Sequence, residues 1–125
     1  MMVARKLCAE ALGTAFLLAA VVGSGIMAER LANGNVAVAL LANTTATGAA
    51  LVALILTFGP ISGAAFNPAI SLCDAMLHGI SWKSFAGYTG AQVIGAFAGV
   101  MCAQLMFGLP TFSVSQHIRY GASQA

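Results

Sequence analysis

Asn67-Pro68-Ala69 is the segment of this chain best equipped to act on another molecule. Asparagine is a favoured N-cap and proline is favoured in the first helical turn, so a helix is predicted to begin here. A helix start carries unpaired N–H groups and about half a positive charge. It offers hydrogen-bond donation and repulsion of cations, not the making or breaking of bonds. Its setting is unusual, because no acidic or basic side chain occurs between Leu31 and Cys73.

The other reactive residue types form no catalytic set. No Ser/His/Asp group, paired carboxylates or phosphate-binding loop falls in a plausible arrangement, so no enzymatic activity is expected. Cys8, Cys73 and Cys102 are far apart, with no CxxC spacing and no histidine at metal-ligand distance. No metal, redox or cofactor site is expected from them, and packing is their expected use. His78 and His117 read as ordinary surface histidines, and Asp74 as facing a vestibule or an interhelical polar contact. A net charge of +2 from scattered Lys and Arg excludes a nucleic-acid surface.

The elements that must position Asn67 belong in lipid. Hydrophobic residues make up 60% of the 125 and charged residues 6%, against about a quarter charged in soluble domains. Three stretches, roughly 7–27, 36–58 and 82–107, are each long enough to cross a bilayer core of about 30 Å. The first runs through Val21-Val22 to Glu29-Arg30 without a clear cleavage site, so it reads as a retained span, not a signal peptide. Asn33-Gly34-Asn35 has the composition of a turn. Gly59-Pro60 is expected to break the second span, because proline removes an N–H and disfavours helical geometry in the residue before it.

Residues 59–78 then read as a re-entrant loop and a half-helix. The half-helix is expected from Pro68 to His78, about 16 Å long, with Gly79 as its stop and His78 suited to the negative helix end. Gly108-Leu109-Pro110 ends the third span, and the polar residues 111–125 read as an extramembrane connection, truncated before its destination. Gly87, Ala91, Gly95, Gly99 and Ala103 in the third span, and Ala11, Ala15, Ala19 and Gly23 in the first, form small-residue stripes that let helices approach closely in lipid. Arg5, Lys6 and Lys83 on one side outnumber Arg30 and Arg119 on the other, which places the N-terminus in the cytoplasm.

Irregular backbone at membrane depth is costly unless it is buried in protein or lines water. The stretch from Gly59 to Phe66 therefore implies a polar path, with loop carbonyls as acceptors and the positive helix end at Asn67 opposing protons and cations. The run Ser62-Gly63-Ala64-Ala65-Phe66-Asn67-Pro68-Ala69, set between a second and a third span, resembles the first signature loop of the major intrinsic protein family, the aquaporins and glycerol facilitators. Glu10 in Ala9-Glu10-Ala11-Leu12-Gly13-Thr14 and Gln92 in Ala91-Gln92-Val93-Ile94-Gly95-Ala96 resemble that family's first- and third-helix patterns. The resemblance covers nearly the whole chain but half of the family's usual length.

The resemblance implies an all-α membrane protein: three transmembrane helices plus one re-entrant half-helix over residues 1–110, one repeat of the six-helix aquaporin-like fold. It implies that Asn67 donates hydrogen bonds to a passing solute, that Pro68 and Ala69 start and pack the half-helix, and that the carbonyls of Gly63, Ala64 and Ala65 form part of a solute ladder. Counting back from Asn67 along the family pattern places Thr47 at the outer constriction. Threonine is smaller and more polar than the aromatic of water-selective members, which favours glycerol, urea or neutral metalloid hydroxides. Glu10, which sequence alone would also allow as an interfacial carboxylate, is expected to turn inward and accept hydrogen bonds from the loop, with Gln92 in support. No cofactor is implied.

The implied partners are the lipid bilayer, small neutral solutes, a second channel half and, for the complete protein, a homotetramer in a bacterial inner membrane. The second half is not found in these 125 residues, so a truncated chain is expected not to conduct unless two copies insert in opposite orientations. Half of an inverted-repeat secondary transporter is the other class open, since these too use broken helices.

Overall fold

An apolar run in lipid must satisfy its own backbone, and the helix does so within one segment. The computed structural model describes residues 1–114. It contains four helices: α1 Met2–Leu31, α2 Val36–Ser62, α3 Pro68–Met76 and α4 Trp82–Met106. Three of them, α1, α2 and α4, are long and apolar enough to cross a membrane. Their starts are chemically marked. Asn35 Oδ1 accepts from Val38 N at 3.1 Å, and Ser81 Oγ accepts from Ser84 N at 3.1 Å, each satisfying an otherwise orphaned donor.

Helix α1 is central, packed against α2 on one side and α4 on the other, while α3 leans on α4. Helices α1 and α4 run parallel. Leu7 meets Gly87, Ala11 meets Gly95 and Ala15 meets Gly99, in the same order along both. The two stripes of small residues thus pack on each other: a Cβ on Gly95 or Gly99 would strike the Ala11 or Ala15 main chain. Where the helices end, Arg30 donates to the Phe107 carbonyl at 3.1 Å and its guanidinium lies 5.3 Å from the Phe107 ring centre.

The helix bounds correct several expectations. Helix α2 does not break at Gly59-Pro60 but continues to Ser62, with Pro60 inside it. Proline here removes only the bond to the Leu56 carbonyl, in the last turn and at an exposed position, so its disruption stays local. The break falls at Gly63, which adopts φ +94° and donates to the Gly59 carbonyl at 2.9 Å. Helix α1 extends beyond the expected 7–27 at both ends. Helix α3 stops at Met76, and His78, not Gly79, takes the left-handed conformation with φ +63°. Gly79 instead donates to the Asp74 carbonyl at 2.8 Å, and the Asp74 carboxylate fills the space where a Cβ on Gly79 would lie. Cys8, Cys73 and Cys102, expected to pack inside, are all exposed, because each sits on a helix face that no described element covers. The expectations for Gln116, His117 and Arg119 fall outside the described residues; of the connection, Ser113 Oγ turns back to within 3.0 Å of the Gln104 side-chain amide.

Candidate functional site

Between α2 and α3 the chain climbs through Gly63, Ala64, Ala65 and Phe66 to Asn67. Ala64 at φ +53° and Phe66 at φ +49° are left-handed, which costs a residue bearing a Cβ of order 1 kcal/mol or more. That conformation persists only where the surroundings over-determine it, and here they do. Glu10, fully buried on α1, accepts from Ser62 Oγ at 2.5 Å, Ala65 N at 3.2 Å, Phe66 N at 2.8 Å and Gln92 Nε2 at 2.8 Å. Ala64 N donates to Ser62 Oγ at 3.2 Å, so three successive loop N–H groups are tied down behind the loop. The Phe66 ring occupies the notch left by Gly13 and meets Phe58 edge-on at 6.0 Å.

This anchoring decides where the carbonyls point. Among the described residues no peptide bond is cis, and in a trans peptide the N–H and the preceding C=O are opposed. With the N–H groups of Ala64, Ala65 and Phe66 held by Ser62 and Glu10, the carbonyls of Gly63, Ala64 and Ala65 turn away from α1. None of the three accepts a hydrogen bond from another described residue. They form an unpartnered row of acceptors on the face opposite Glu10.

Asn67 sits at the head of that row. Its backbone is extended, with φ −152°, and its Oδ1 accepts from Ala69 N at 2.8 Å, the geometry of an N-cap. Because the oxygen is committed to the cap, Nδ2 is the atom left to engage another molecule, and Asn67, Pro68 and Ala69 are all exposed. Helix α3 is held from behind by Ser71, whose buried hydroxyl accepts from Gln92 Nε2 at 2.9 Å. One glutamine amide therefore joins α4 to both α1 and α3. A cavity of about 560 Å³ opens beside Arg5, Lys6, Pro60, Asp74 and Tyr88. A second, of about 370 Å³, shares Ser62, Gly63, Asp74 and Tyr88 with it and reaches Ala64 and Ala65. Thr47 stands apart from this cluster, half-buried on α2, with its hydroxyl donating to Asn43 Oδ1 at 3.2 Å.

The structure thus brings Glu10, Gln92, Gly63, Ala64, Ala65 and Asn67 together and leaves Thr47 farther along α2. Sequence reasoning missed Ser62, Ser71, Tyr88, Phe66 and Gly13. Tyr88 is buried and donates to the Ser62 carbonyl at 2.8 Å, gripping the end of α2. Helical spacing carried a signal for three of them: Tyr88 lies one turn before Gln92, Ser71 one turn after Asn67 and Gly13 one turn after Glu10. Nothing local marked Phe66, whose role depends on the notch in another helix.

Residues 1–123 match the family described as Major intrinsic protein. The chain belongs to that family. Its relatives include aquaglyceroporin AqpS of Rhizobium meliloti (strain 1021), 52% identical over 120 residues, which cover 96% of this chain and 51% of that protein. Aquaporin NIP1-1 of Oryza sativa subsp. japonica is 34% identical over 83% of the chain and 36% of its own length. Aquaglyceroporin-3 of Trypanosoma brucei brucei is 35% identical over 82% of the chain and 33% of its own length. The chain spans about half the length of the first relative and about a third of the other two. No solved structure matches it. With three long apolar helices and one short helix beginning at Asn67, the chain of this Major intrinsic protein forms half of an aquaporin fold, in a multi-pass membrane protein.

Proposed function

We propose that residues 1–110 of this chain supply one half of a channel for passive diffusion of water and small neutral solutes such as glycerol, urea or metalloid hydroxides. The observation that carries this reading is the free row of carbonyls from Gly63 to Ala65 leading to the uncommitted amide nitrogen of Asn67. A neutral solute with hydrogen-bond donors and acceptors can exchange its water for that row, while the positive end of α3 opposes cations. Aquaglyceroporin names among the relatives support the solute class. The second half would cover the exposed side of Asn67 and α2, and the remaining apolar surface is free for neighbouring subunits of a tetramer. Arg5, Lys6 and Lys83 lie at one end of the α1–α4 pair and Arg30 at the other, which favours a cytoplasmic N-terminus, and the Rhizobium relative favours a bacterial inner membrane.

The direct test is Asn67→Asp in the complete channel. Aspartate keeps the N-cap, so α3 should still start at residue 68, but an acceptor replaces the donor. Neutral-solute flux in liposomes should fall by about tenfold, one lost charge-neutral hydrogen bond in the passage being worth about 1.4 kcal/mol. Unchanged flux and unchanged ion exclusion would remove Asn67 from the path. Thr47→Phe should reduce glycerol flux more than water flux, because the ring narrows the outer constriction; an equal effect on both would take Thr47 out of it. Asp74 lines both cavities, so dependence of flux on a proton or sodium gradient would favour a coupled transporter instead.

A further inference from the structure

Three threonines of α2 use their hydroxyls in two different ways. Thr45 donates to the Leu41 carbonyl at 2.8 Å and Thr57 to the Ala53 carbonyl at 2.7 Å, each one turn back. That is the ordinary bond of a threonine in a helix. Thr47 does not make it. Its Oγ1 donates to the side-chain Oδ1 of Asn43 at 3.2 Å. Asn43 is held in turn by the neighbouring helix, where Ser24 of α1 donates to the same Oδ1 at 3.0 Å. Gly25 leaves room for the amide, since a Cβ there would stand 3.3 Å from Asn43 Nδ2. An acceptor pinned across a helix crossing fixes the direction of the hydroxyl that meets it.

The position of Thr47 makes that direction matter. Thr47, Leu51, Phe58 and Ser62 follow one helical edge of α2. Phe58 on this edge meets the Phe66 ring and Ser62 bonds Glu10, so the edge runs along the back of the loop, and Thr47, half-buried beside the exposed Thr44, Gly48 and Leu51, borders the open side of α2. Thr47 lies about 16 Å beyond Phe58 along it, at 1.5 Å per residue. A hydroxyl has one hydrogen and two lone pairs. With its hydrogen committed to Asn43, Thr47 has only acceptor capacity to offer.

We propose that Asn43 is a positioning residue for solute selection. By holding the Thr47 hydroxyl hydrogen, it makes Thr47 an acceptor toward the path and favours neutral solutes that carry several O–H or N–H donors, such as polyols and urea, over water. The assignment rests on the channel reading above.

The test is Asn43→Leu in the complete channel, with glycerol and water permeability measured on the same liposomes. Without its side-chain acceptor the Thr47 hydroxyl turns to the carbonyl one turn back, as in Thr45 and Thr57, and its lone pairs lose the direction toward the path that Asn43 gave them. The glycerol-to-water ratio should fall about fivefold, the range set by one hydrogen bond, with water permeability retained. In a Thr47→Val background the same substitution should change the ratio no further, because Asn43 acts through that hydroxyl. Ser24→Ala, which loosens Asn43 without adding bulk, should shift the ratio the same way by a smaller factor, and it carries the test if Asn43→Leu fails to insert. An unchanged ratio in both variants, or an equal effect of Asn43→Leu with and without the Thr47 hydroxyl, would overturn the assignment and leave Asn43 a packing residue. If the unsubstituted channel conducts neither solute, the channel reading itself fails, and this assignment with it.

Discussion

Glu10→Gln is expected to abolish most of the flux of the complete channel and to lower its thermal stability in detergent. The carboxylate accepts four hydrogen bonds and donates none, from Ser62, Ala65, Phe66 and Gln92. Glutamine has nearly the same shape but turns one oxygen into an NH2 group, which would face donors in a site without solvent. Whichever oxygen is replaced, a loop N–H, that of Ala65 or that of Phe66, is left unsatisfied, at about 1–3 kcal/mol. The strained conformations of Ala64 and Phe66 lose their restraint at the same moment, and the carbonyl row loses its direction. Flux should drop by more than about tenfold, which corresponds to only about 1.4 kcal/mol in the passage barrier. Flux assays and thermal unfolding would be measured together on purified protein. A Glu10→Gln channel with normal flux would show that the loop holds its shape without this carboxylate.

The second large effect is expected at the α1–α4 crossing, and it should follow a pattern, not a single value. At Gly95 an added Cβ would lie 2.9 Å from the Ala11 carbonyl carbon, and at Gly99 2.9 Å from that of Ala15. Both obstacles are main chain, so alanine at either position must push two helices apart, at about 1–3 kcal/mol. At Gly87 the neighbour is the tip of the Leu7 side chain at 3.1 Å, which can turn aside, and at Gly90 nothing lies within 4 Å. Unfolding in mixed micelles should therefore rank Gly95→Ala and Gly99→Ala as strongly destabilised, Gly87→Ala as mildly so and Gly90→Ala as neutral or slightly stabilised. Equal losses at all four would mean that glycine acts here through backbone freedom and not through close approach.

These two predictions rest on features of different legibility. The glycine and alanine stripes could be read as packing surfaces from their spacing alone, because a helix repeats its faces every three or four residues. That the two stripes meet each other, in parallel and in register, required the tertiary structure. Asn67-Pro68 could be read as a helix start because capping is a local property. Gly59-Pro60 misled for the complementary reason. The propensity of proline is local as well, but its cost depends on how much helix follows, and only Ile61 and Ser62 follow here.

The sequence by itself determined that this is a membrane protein of three long helices with a helix start set between the second and third, since charge absence, run length and capping chemistry all act over a few residues. Glu10, Gln92 and Asn67 were legible too, because charged and amide groups within apolar runs are few, whereas Ser62, Ser71 and Tyr88 were not. Only the folded chain decided how they are joined. Glu10 and Phe66 are 56 residues apart, and Glu10 and Gln92 82 apart, and nothing in local spacing dictates that one carboxylate should hold the end of α2, the loop and α4 at once. The direction of the Gly63–Ala65 carbonyls is decided the same way, by a fully buried acceptor on another helix taking the N–H side of the loop and leaving the oxygen side open.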